Sequence, residues 1–271
     1  MMRLGISTAC LYPMVTEGAL DRLLERGFRL FEIFFNTVSE LEPGYVEGLR
    51  RRLEKAGAEV VSIHPFTSAF EVMLLFSDYP RRTEDGLAFY RRYFETAQRL
   101  GAKFLVLHGQ RNYQKGRITE EEYLERYWRL YRLGQEYGIT VAQENVVQFR
   151  SERAAFIRRM QEALGEECAF VLDLKQAVRA GEDPMEMCRA MGRRLCHLHF
   201  NDHLPGQDCL LPGKGGFSYE TLFQYLQEIG YPGKGVIEVY RGNFGQEEEL
   251  WESLCYLRQI RQKFDKLAFL P

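Results

Sequence analysis

Four ionisable side chains lie at or near the ends of four successive apolar runs in the second half of the chain. They are Glu144 in ITVAQEN, Asp173 in AFVLD, His199 in CHLHFND and Glu238 in GVIEVY. A buried carboxylate is costly unless it is paired or bound to a metal ion. One such residue could cap a helix or meet an arginine, but four in succession favour a shared site. We therefore predict that these four residues bind one divalent metal ion.

The composition of this ligand set bears on the identity of the metal. Carboxylate oxygens outnumber the single imidazole nitrogen, and divalent ions that prefer oxygen ligands suit such a set. Mn²⁺ is the ion that we expect, with Mg²⁺, Co²⁺ and Zn²⁺ as alternatives.

Further polar side chains follow the same kind of apolar run and are candidates for binding a substrate. Two histidines end the third and fourth runs, where they could bind substrate oxygens or hold a further metal ion. Asn145 and Asp202 either orient the ligands or cap loops, and Arg241 suits a substrate carboxylate or phosphate but equally the protein surface. The full set is His64, His108, Asn145, Lys175, Gln176, Asp202 and Arg241.

Two more ionisable residues lie deeper in their apolar runs. The sequence leaves Glu32 open between a core ion pair and a site residue. We expect His197 to be a core histidine, with support of the metal ligands as the alternative.

Apolar runs that are typical of strands alternate with amphipathic stretches along the whole chain. The predicted strands are residues 3–7, 30–35, 59–64, 103–108, 140–144, 169–173, 195–201 and 236–240. The predicted helices are residues 18–26, 45–55, 83–100, 120–137, 152–164, 185–191, 219–229 and about 246–261. Eight strand–helix units of this kind predict an α/β fold, a (β/α)8 TIM barrel that forms one domain over residues 1–271.

The barrel prediction places the candidate residues at one end of the molecule. Active sites of such barrels lie at the carboxyl ends of the strands, where the four ionisable residues fall. Strand residues alternate between interior and exterior, so Val60 and Ser62 should face the interior with His64. The long segment 65–80 is expected to be a functional loop at the same end.

The bulk composition narrows the classes of function. The net charge is −2 and the pI about 6.3, which argues against a nucleic-acid partner. No apolar run approaches the roughly 18 residues of a membrane span. The six cysteines have no CxxC spacing and indicate a reducing, cytoplasmic setting. We therefore expect a small-molecule substrate, and the composition leaves a homo-oligomer open.

Several motifs of the chain resemble one known family. They are LGIST near the start, AQEN, LD, HLHFND, and the segment LPGKGGFSYETLFQYLQEIGYPGKGVIEV. Together they resemble the xylose isomerase-like TIM barrels, which are sugar phosphate isomerases and epimerases of the AP endonuclease family 2 superfamily. The resemblance implies that Glu144, Asp173, His199 and Glu238 hold one divalent metal ion. It also implies that the two glutamates are the acid/base residues on either side of a bound sugar.

The chain also departs from that family. Many members have Asp-x-x-His on strand six, whereas Gln176 is the residue that matches that His. Pro205 replaces an arginine that some ketose 3-epimerases carry, so their substrates are not implied. The related endonuclease IV uses extra histidines for three metal ions. His64 and His108 match two of these, but Gln176 and the stretch from Asp208 lack the others.

These observations predict an enzyme that isomerises or epimerises a sugar or a keto-cyclitol. Proton transfer would pass through a metal-stabilised enediolate, with Glu144 and Glu238 as the catalytic residues. The first alternative is a metal-dependent lyase or dehydratase on a keto-sugar or keto-inositol, which shares the initial proton abstraction. The others are an endonuclease IV-like phosphodiesterase and a non-catalytic sugar-binding barrel.

Overall fold

The structure, a computed structural model, describes residues 2–66, 68–112 and 118–267. Eight parallel strands close into a barrel in the order β1-β10-β7-β6-β5-β4-β3-β2, so the predicted TIM barrel is confirmed. The barrel strands are β1 (Arg3–Ser7), β2 (Leu30–Phe34), β3 (Glu59–His64), β4 (Phe104–Leu107), β5 (Thr140–Glu144), β6 (Phe170–Asp173), β7 (Leu195–Phe200) and β10 (Lys234–Ile237). A separate antiparallel hairpin is formed by β8 (Asp202–Leu204) and β9 (Gln207–Leu210).

Helices connect the strands and cover the outside of the barrel. They are α1 (Thr16–Glu25), α2 (Pro43–Lys55), α3 (Ser68–Phe70), α4 (Pro80–Leu100), α5 (Glu120–Glu136), α6 (Ala154–Leu164), α7 (Leu174–Arg179), α8 (Pro184–Met191), α9 (Tyr219–Glu228) and α10 (Glu248–Leu267). Capping residues define several of these ends. Thr119 and Glu122 form a capping box at the start of α5, and Gly101 ends α4 in the left-handed conformation.

Four barrel strands, β2, β4, β7 and β10, end earlier than the apolar runs predicted, and two of these ends carry site candidates. Strand β10 covers Lys234–Ile237 instead of residues 236–240, because its first residues pair with β1 and β7 despite their polar sequence. Glu238 therefore lies one residue beyond its strand. His108 likewise lies one residue beyond β4. Both side chains consequently project from the start of a loop.

The loops at the carboxyl end of the barrel are more regular than expected. The Gly- and Pro-containing region after β7 includes the β8–β9 hairpin, which the sequence analysis missed. The segment 65–80, predicted to be a loop, contains α3 and one turn of π-helix over Glu71–Leu75. These elements give the rim of the barrel fixed local structure.

One interior position also differs from the prediction. The pairing of β2 with β3 shifts between Phe31 and Glu32, which is a bulge. As a result, Val61 rather than Val60 packs with Leu30 and Val236 in a small apolar cluster. A bulge adds one residue to a strand and so reverses the simple alternation of faces.

Candidate metal centre and substrate cavity

The four predicted metal ligands converge at the carboxyl end of the barrel. Glu144, Asp173, His199 and Glu238 each offer one ligand atom, and these atoms all lie within 4.8 Å of one another. They come from β5, β6, β7 and the residue after β10, which are consecutive strands in the barrel. The barrel order therefore brings together residues that are up to 94 positions apart in the chain.

His199 has the orientation of a metal-binding histidine. Its Nε2 lies 3.1 Å from Glu32 Oε2, so this nitrogen is protonated and donates a hydrogen bond to the carboxylate. Its Nδ1 is buried, has no hydrogen-bond partner among the described residues, and lies 3.3 Å from oxygens of both Glu144 and Glu238. Ligating histidines usually donate their second N–H in this way, which leaves the other nitrogen free for the metal.

Asp173 presents one oxygen to the same point. Its Oδ1 accepts hydrogen bonds from the Lys175 backbone N–H and from Asn201 Nδ2, both at 2.9 Å. Its Oδ2 lies 3.7 Å from His199 Nδ1. Three carboxylate oxygens around one orphaned imidazole nitrogen are a donor set that fits a divalent ion.

The charges of this cluster shift the pKa values of its ionisable side chains. Burial alone would raise the pKa of Glu144, but neighbouring histidines, His108 foremost, hold it well below its usual range. Burial would likewise raise the pKa of Glu238, and Lys175 and His199 instead lower it. Burial would lower the pKa of His199, yet Glu32 and Glu238 raise it well above its usual range. Both glutamates are therefore ionised at neutral pH.

Lys175 lies inside the cluster rather than only beside a substrate. Its side chain is 2% exposed, and Nζ donates hydrogen bonds to Asp173 Oδ2 and Glu238 Oε2. Burial would lower the pKa of this amine, but the two carboxylates raise it well above its usual range. The sequence predicted Lys175 to be a substrate-binding residue and gave no sign of its contact with two candidate metal ligands.

Below the cluster, a buried network fixes the imidazole of His199. Glu32 Oε2 accepts a hydrogen bond of 2.7 Å from Ser62 Oγ and lies 3.2 Å from His197 Nε2. His197 Nδ1 lies 3.2 Å from the backbone oxygen of Lys234. Glu32 and His197 are thus interior groups that support His199 and do not reach the cavity.

A cavity of about 500 Å³ opens above the cluster. Of the predicted substrate-binding residues, four line it together with Glu144 and Glu238: His64, His108, Lys175 and Gln176. Much of the remaining wall is aromatic, with Tyr12, Phe34, Phe66 and Tyr240. The volume lies in the range of small-molecule sites.

The other three predicted substrate-binding residues do not line this cavity. Asn145 Oδ1 accepts from the Asp173 backbone N–H at 2.8 Å and its Nδ2 donates to the Asp173 carbonyl at 2.9 Å, which ties β5 to β6. Asp202 accepts from the backbone N–H groups of Gly213 and Phe217, each at 3.0 Å, and so orders the loop after the hairpin. Arg241 Nη1 donates to the Phe244 carbonyl at 3.0 Å.

His64 and His108 form a second group around Glu144. His108 Nε2 lies 2.9 Å from Glu144 Oε2 and 3.1 Å from His64 Nε2. Burial would lower the pKa of His64, but Glu144 and Glu32 raise it to about 8. One nitrogen from each histidine and one Glu144 oxygen lie within 4.8 Å of one another, so these three residues could also approach a cation.

Glu71 is a buried residue of the site region that the sequence analysis missed. It lies in the π-helical turn, is 1% exposed, and accepts hydrogen bonds from the backbone N–H groups of His108 at 3.0 Å and Gly109 at 2.7 Å. Tyr90 donates a third hydrogen bond, at 2.9 Å. Burial raises the pKa of Glu71. The available signal was a lone acid in the otherwise apolar stretch AFEVMLLF.

In the described part of the chain, no helix combines the length and apolar character needed to cross a bilayer.

The fold and the site agree with a family assignment. The chain belongs to the xylose isomerase-like TIM barrel family, which it matches over residues 20–260. An uncharacterised protein of Mycobacterium leprae is 26% identical over 292 aligned positions, covering 95% of this chain and 97% of that protein. A D-psicose 3-epimerase of Enterocloster bolteae is 35% identical over 69 residues, or 24% of this chain and 22% of that protein.

Solved structures of sugar epimerases share the fold. A D-tagatose 3-epimerase-like protein superposes with a TM-score of 0.78 at 19% identity, covering 98% of this chain and 100% of that one. D-psicose 3-epimerase of Clostridium cellulolyticum H10, solved with D-tagatose, gives 0.77 at 17% identity, covering 97% and 99%. Two other neighbours contain metals: the IOLI protein has zinc and a Mycobacterium smegmatis protein has magnesium, with TM-scores of 0.70 and 0.73.

Proposed function

We propose that this protein is a divalent-metal-dependent isomerase or epimerase of sugars or keto-cyclitols. The observation that carries the proposal is the buried Nδ1 of His199, which faces three carboxylates at the floor of the cavity and has no hydrogen-bond partner in the described part of the chain. A divalent ion held there would polarise the substrate carbonyl and stabilise the negative charge that develops on its oxygen. The epimerases among the structural neighbours support the same class of reaction.

Glu144 and Glu238 are the proposed proton-transfer residues. Both line the cavity, and they stand at the two ends of the four-strand arc β5-β6-β7-β10. A substrate between them would present opposite faces to the two carboxylates. Because the pKa of each is lowered, each is a base at neutral pH. One removes the proton from the carbon next to the carbonyl, and the other, once protonated, returns a proton from its own side.

The wall of the cavity suits a small polyhydroxylated ring or chain. Aromatic side chains such as Phe34 and Phe66 can pack against the C–H face of a sugar, while His64, His108 and Gln176 offer polar atoms for its hydroxyl groups. The neighbour solved with D-tagatose makes ketoses the first substrates to test.

The test combines metal analysis with solvent isotope exchange. Chelator-treated protein is loaded with Mn²⁺, Mg²⁺, Co²⁺ or Zn²⁺ and incubated in D₂O with a panel of ketoses and keto-inositols. We expect uptake of one deuterium next to the carbonyl with no other change in mass. Glu144→Gln and Glu238→Gln should abolish the exchange, whereas the exposed control Glu136→Gln should retain it.

Three results would contradict the proposal. Absence of exchange with every metal and substrate excludes this chemistry for the panel. A product lighter by one water indicates the lyase. Two or three tightly bound ions per chain together with cleavage of abasic DNA indicate the phosphodiesterase.

We also propose a reducing, cytoplasmic setting for the enzyme. All six cysteines are free, and burial raises the pKa of Cys10, Cys188 and Cys196 to about 12, which keeps these groups as unreactive thiols. Thiol titration of the denatured natural protein should find six free thiols per chain. A disulfide in freshly isolated protein would argue against this setting.

A further inference from the structure

We propose that Lys175 is a resident cation of the proposed metal centre, which a divalent ion displaces. Without the metal ion, its ammonium group holds Asp173 and Glu238 together. When the ion binds, the ammonium group leaves both carboxylates and turns into the cavity. This inference rests on the metal site of the proposed function, but it does not depend on which reaction the site performs.

The ammonium group engages the carboxylate oxygens that a metal ion would need. Lys175 Nζ donates to Asp173 Oδ2 and Glu238 Oε2. Those two oxygens are also the ones that face Nδ1 of His199, at 3.7 and 3.3 Å. An ammonium group and a divalent ion placed on the same two oxygens would repel each other strongly in a buried site. One of the two cations must therefore move.

The cavity gives the Lys175 side chain room to move. Lys175 itself lines the cavity, and its Nζ lies 5.7 Å from the centre of the Tyr240 ring, whose face attracts cations. Arg179 donates a hydrogen bond of 2.8 Å to the Tyr240 hydroxyl and holds this ring in place. The four-carbon stem of a lysine is flexible enough to move its ammonium group away from the carboxylates into the cavity while it stays near this ring.

The backbone does not have to follow this movement. The Lys175 N–H donates to Asp173 Oδ1, which is the other oxygen of that carboxylate, and this bond caps the start of α7. The cap therefore survives when Oδ2 exchanges the ammonium group for a metal ion. Only the rotatable side chain of Lys175 rearranges.

The first test is the metal affinity of Lys175→Met. Mn²⁺ binding to chelator-treated protein is measured by calorimetry. The control is Lys103→Met, because Lys103 is exposed and has no carboxylate partner among the described residues. Since the ion no longer has to displace a cation, we expect Lys175→Met to bind Mn²⁺ about tenfold more tightly or better. An unchanged or weaker affinity relative to wild type and Lys103→Met overturns the inference.

The second test uses the wild-type protein and so does not depend on the folding of a variant. Amines are reductively methylated with and without Mn²⁺, and the modified lysines are located by peptide mass spectrometry. We expect Lys175 to be protected in the metal-free protein and modified in the Mn²⁺-loaded protein, while Lys103 reacts equally in both. Equal modification of Lys175 in the two states overturns the inference.

Neither test uses a substrate. If Mn²⁺ binds but Lys175 stays protected, displacement is wrong while the isomerase proposal stands. If Lys175 is exposed by Mn²⁺ but no ketose exchanges deuterium, the proposed reaction is wrong while displacement stands.

Discussion

Glu32 sets the orientation of the His199 imidazole ring. It is fully buried, and its carboxylate accepts hydrogen bonds from Nε2–H of His199 and from the Ser62 hydroxyl. When Nδ1 binds a metal ion the imidazole is neutral, and this pairing then keeps its single proton on Nε2. Under the proposed function, Glu32 therefore acts on the metal site through His199 and is not itself a ligand.

Replacing Glu32 by glutamine should weaken metal binding without removing a ligand. The amide of Glu32→Gln is a poorer acceptor for His199, so the histidine becomes less basic and less well oriented. We expect the affinity for Mn²⁺ to fall by about 10- to 100-fold, as measured by calorimetry. The matched control is Glu40→Gln, a buried carboxylate that accepts from Thr16 outside the cluster. Equal affinities in the two variants would falsify this role of Glu32.

The π-helical turn after β3 supports the site through one carboxylate. The Glu71 carboxylate accepts hydrogen bonds from the backbone N–H groups of His108 and Gly109, which start the loop after β4. The left-handed conformation of Gly109 and its closeness to Tyr123 leave little room for rearrangement, since a Cβ there would lie 2.2 Å from the Tyr123 hydroxyl. The turn thus fixes the backbone that carries His108.

Glu71→Gln tests this support. The two backbone N–H groups share Oε2 of Glu71 and the Tyr90 hydroxyl donates to Oε1, so the single oxygen of an amide cannot keep all three hydrogen bonds. We expect the free energy of unfolding to fall by about 1–3 kcal/mol in urea titrations. Glu95→Gln on α4, where the side chain is exposed, should change it by less than about 0.5 kcal/mol. A stability equal to that of the control would show that the three hydrogen bonds contribute nothing.

Strand β1 approaches β2 so closely that only glycine fits at one position. A Cβ on Gly5 would lie 2.2 Å from the Leu30 carbonyl oxygen, which is backbone and cannot turn aside. We expect Gly5→Ala to lower the free energy of unfolding by at least about 2 kcal/mol in urea titrations.

The control for this strand contact is Gly44→Ala. Gly44 lies in α2, and a Cβ there would meet nothing within 4 Å. Alanine favours helix over glycine, so this change should stabilise by about 0.5–1 kcal/mol. If both variants moved in the same direction, close approach of β1 and β2 would not be the reason for Gly5.

The whole barrel closes around a buried cluster of carboxylates. Three carboxylates meet at the candidate metal centre, and Glu32 lies just beneath them. A divalent ion that binds only the folded chain should stabilise it, by about 2.7 kcal/mol when its free concentration is 100 times the dissociation constant.

Calorimetry can measure this stabilisation directly. Addition of Mn²⁺ to chelator-treated protein should raise Tm by several degrees, and His199→Gln should lose most of the shift because the central nitrogen ligand is gone. The shift should return to zero when the chelator is added again. An equal rise in wild type and His199→Gln would place the stabilising ion elsewhere.

Much of the architecture was readable from local patterns. The apolar runs and the amphipathic stretches between them predicted all eight barrel strands. Glu144 and Asp173 end their strands, and His199 and Glu238 lie within one residue of a strand end. Local periodicity reports which face of a segment is buried, and parallel strands in a closed barrel end at one rim. A residue type at a strand end was therefore enough to predict a shared location for four distant side chains.

The roles of individual side chains around that location depended on the tertiary structure. Asn145 hydrogen-bonds the Asp173 backbone, and Lys175 hydrogen-bonds two carboxylates. Glu71 hydrogen-bonds the backbone after β4 from a segment that was predicted to be a loop. The β2–β3 bulge also brought Val61 to the interior. Each outcome depends on a contact between segments that are not neighbours in sequence or on one irregular backbone step. A periodic pattern does not encode such contacts, because they exist only when the closed barrel brings those segments together.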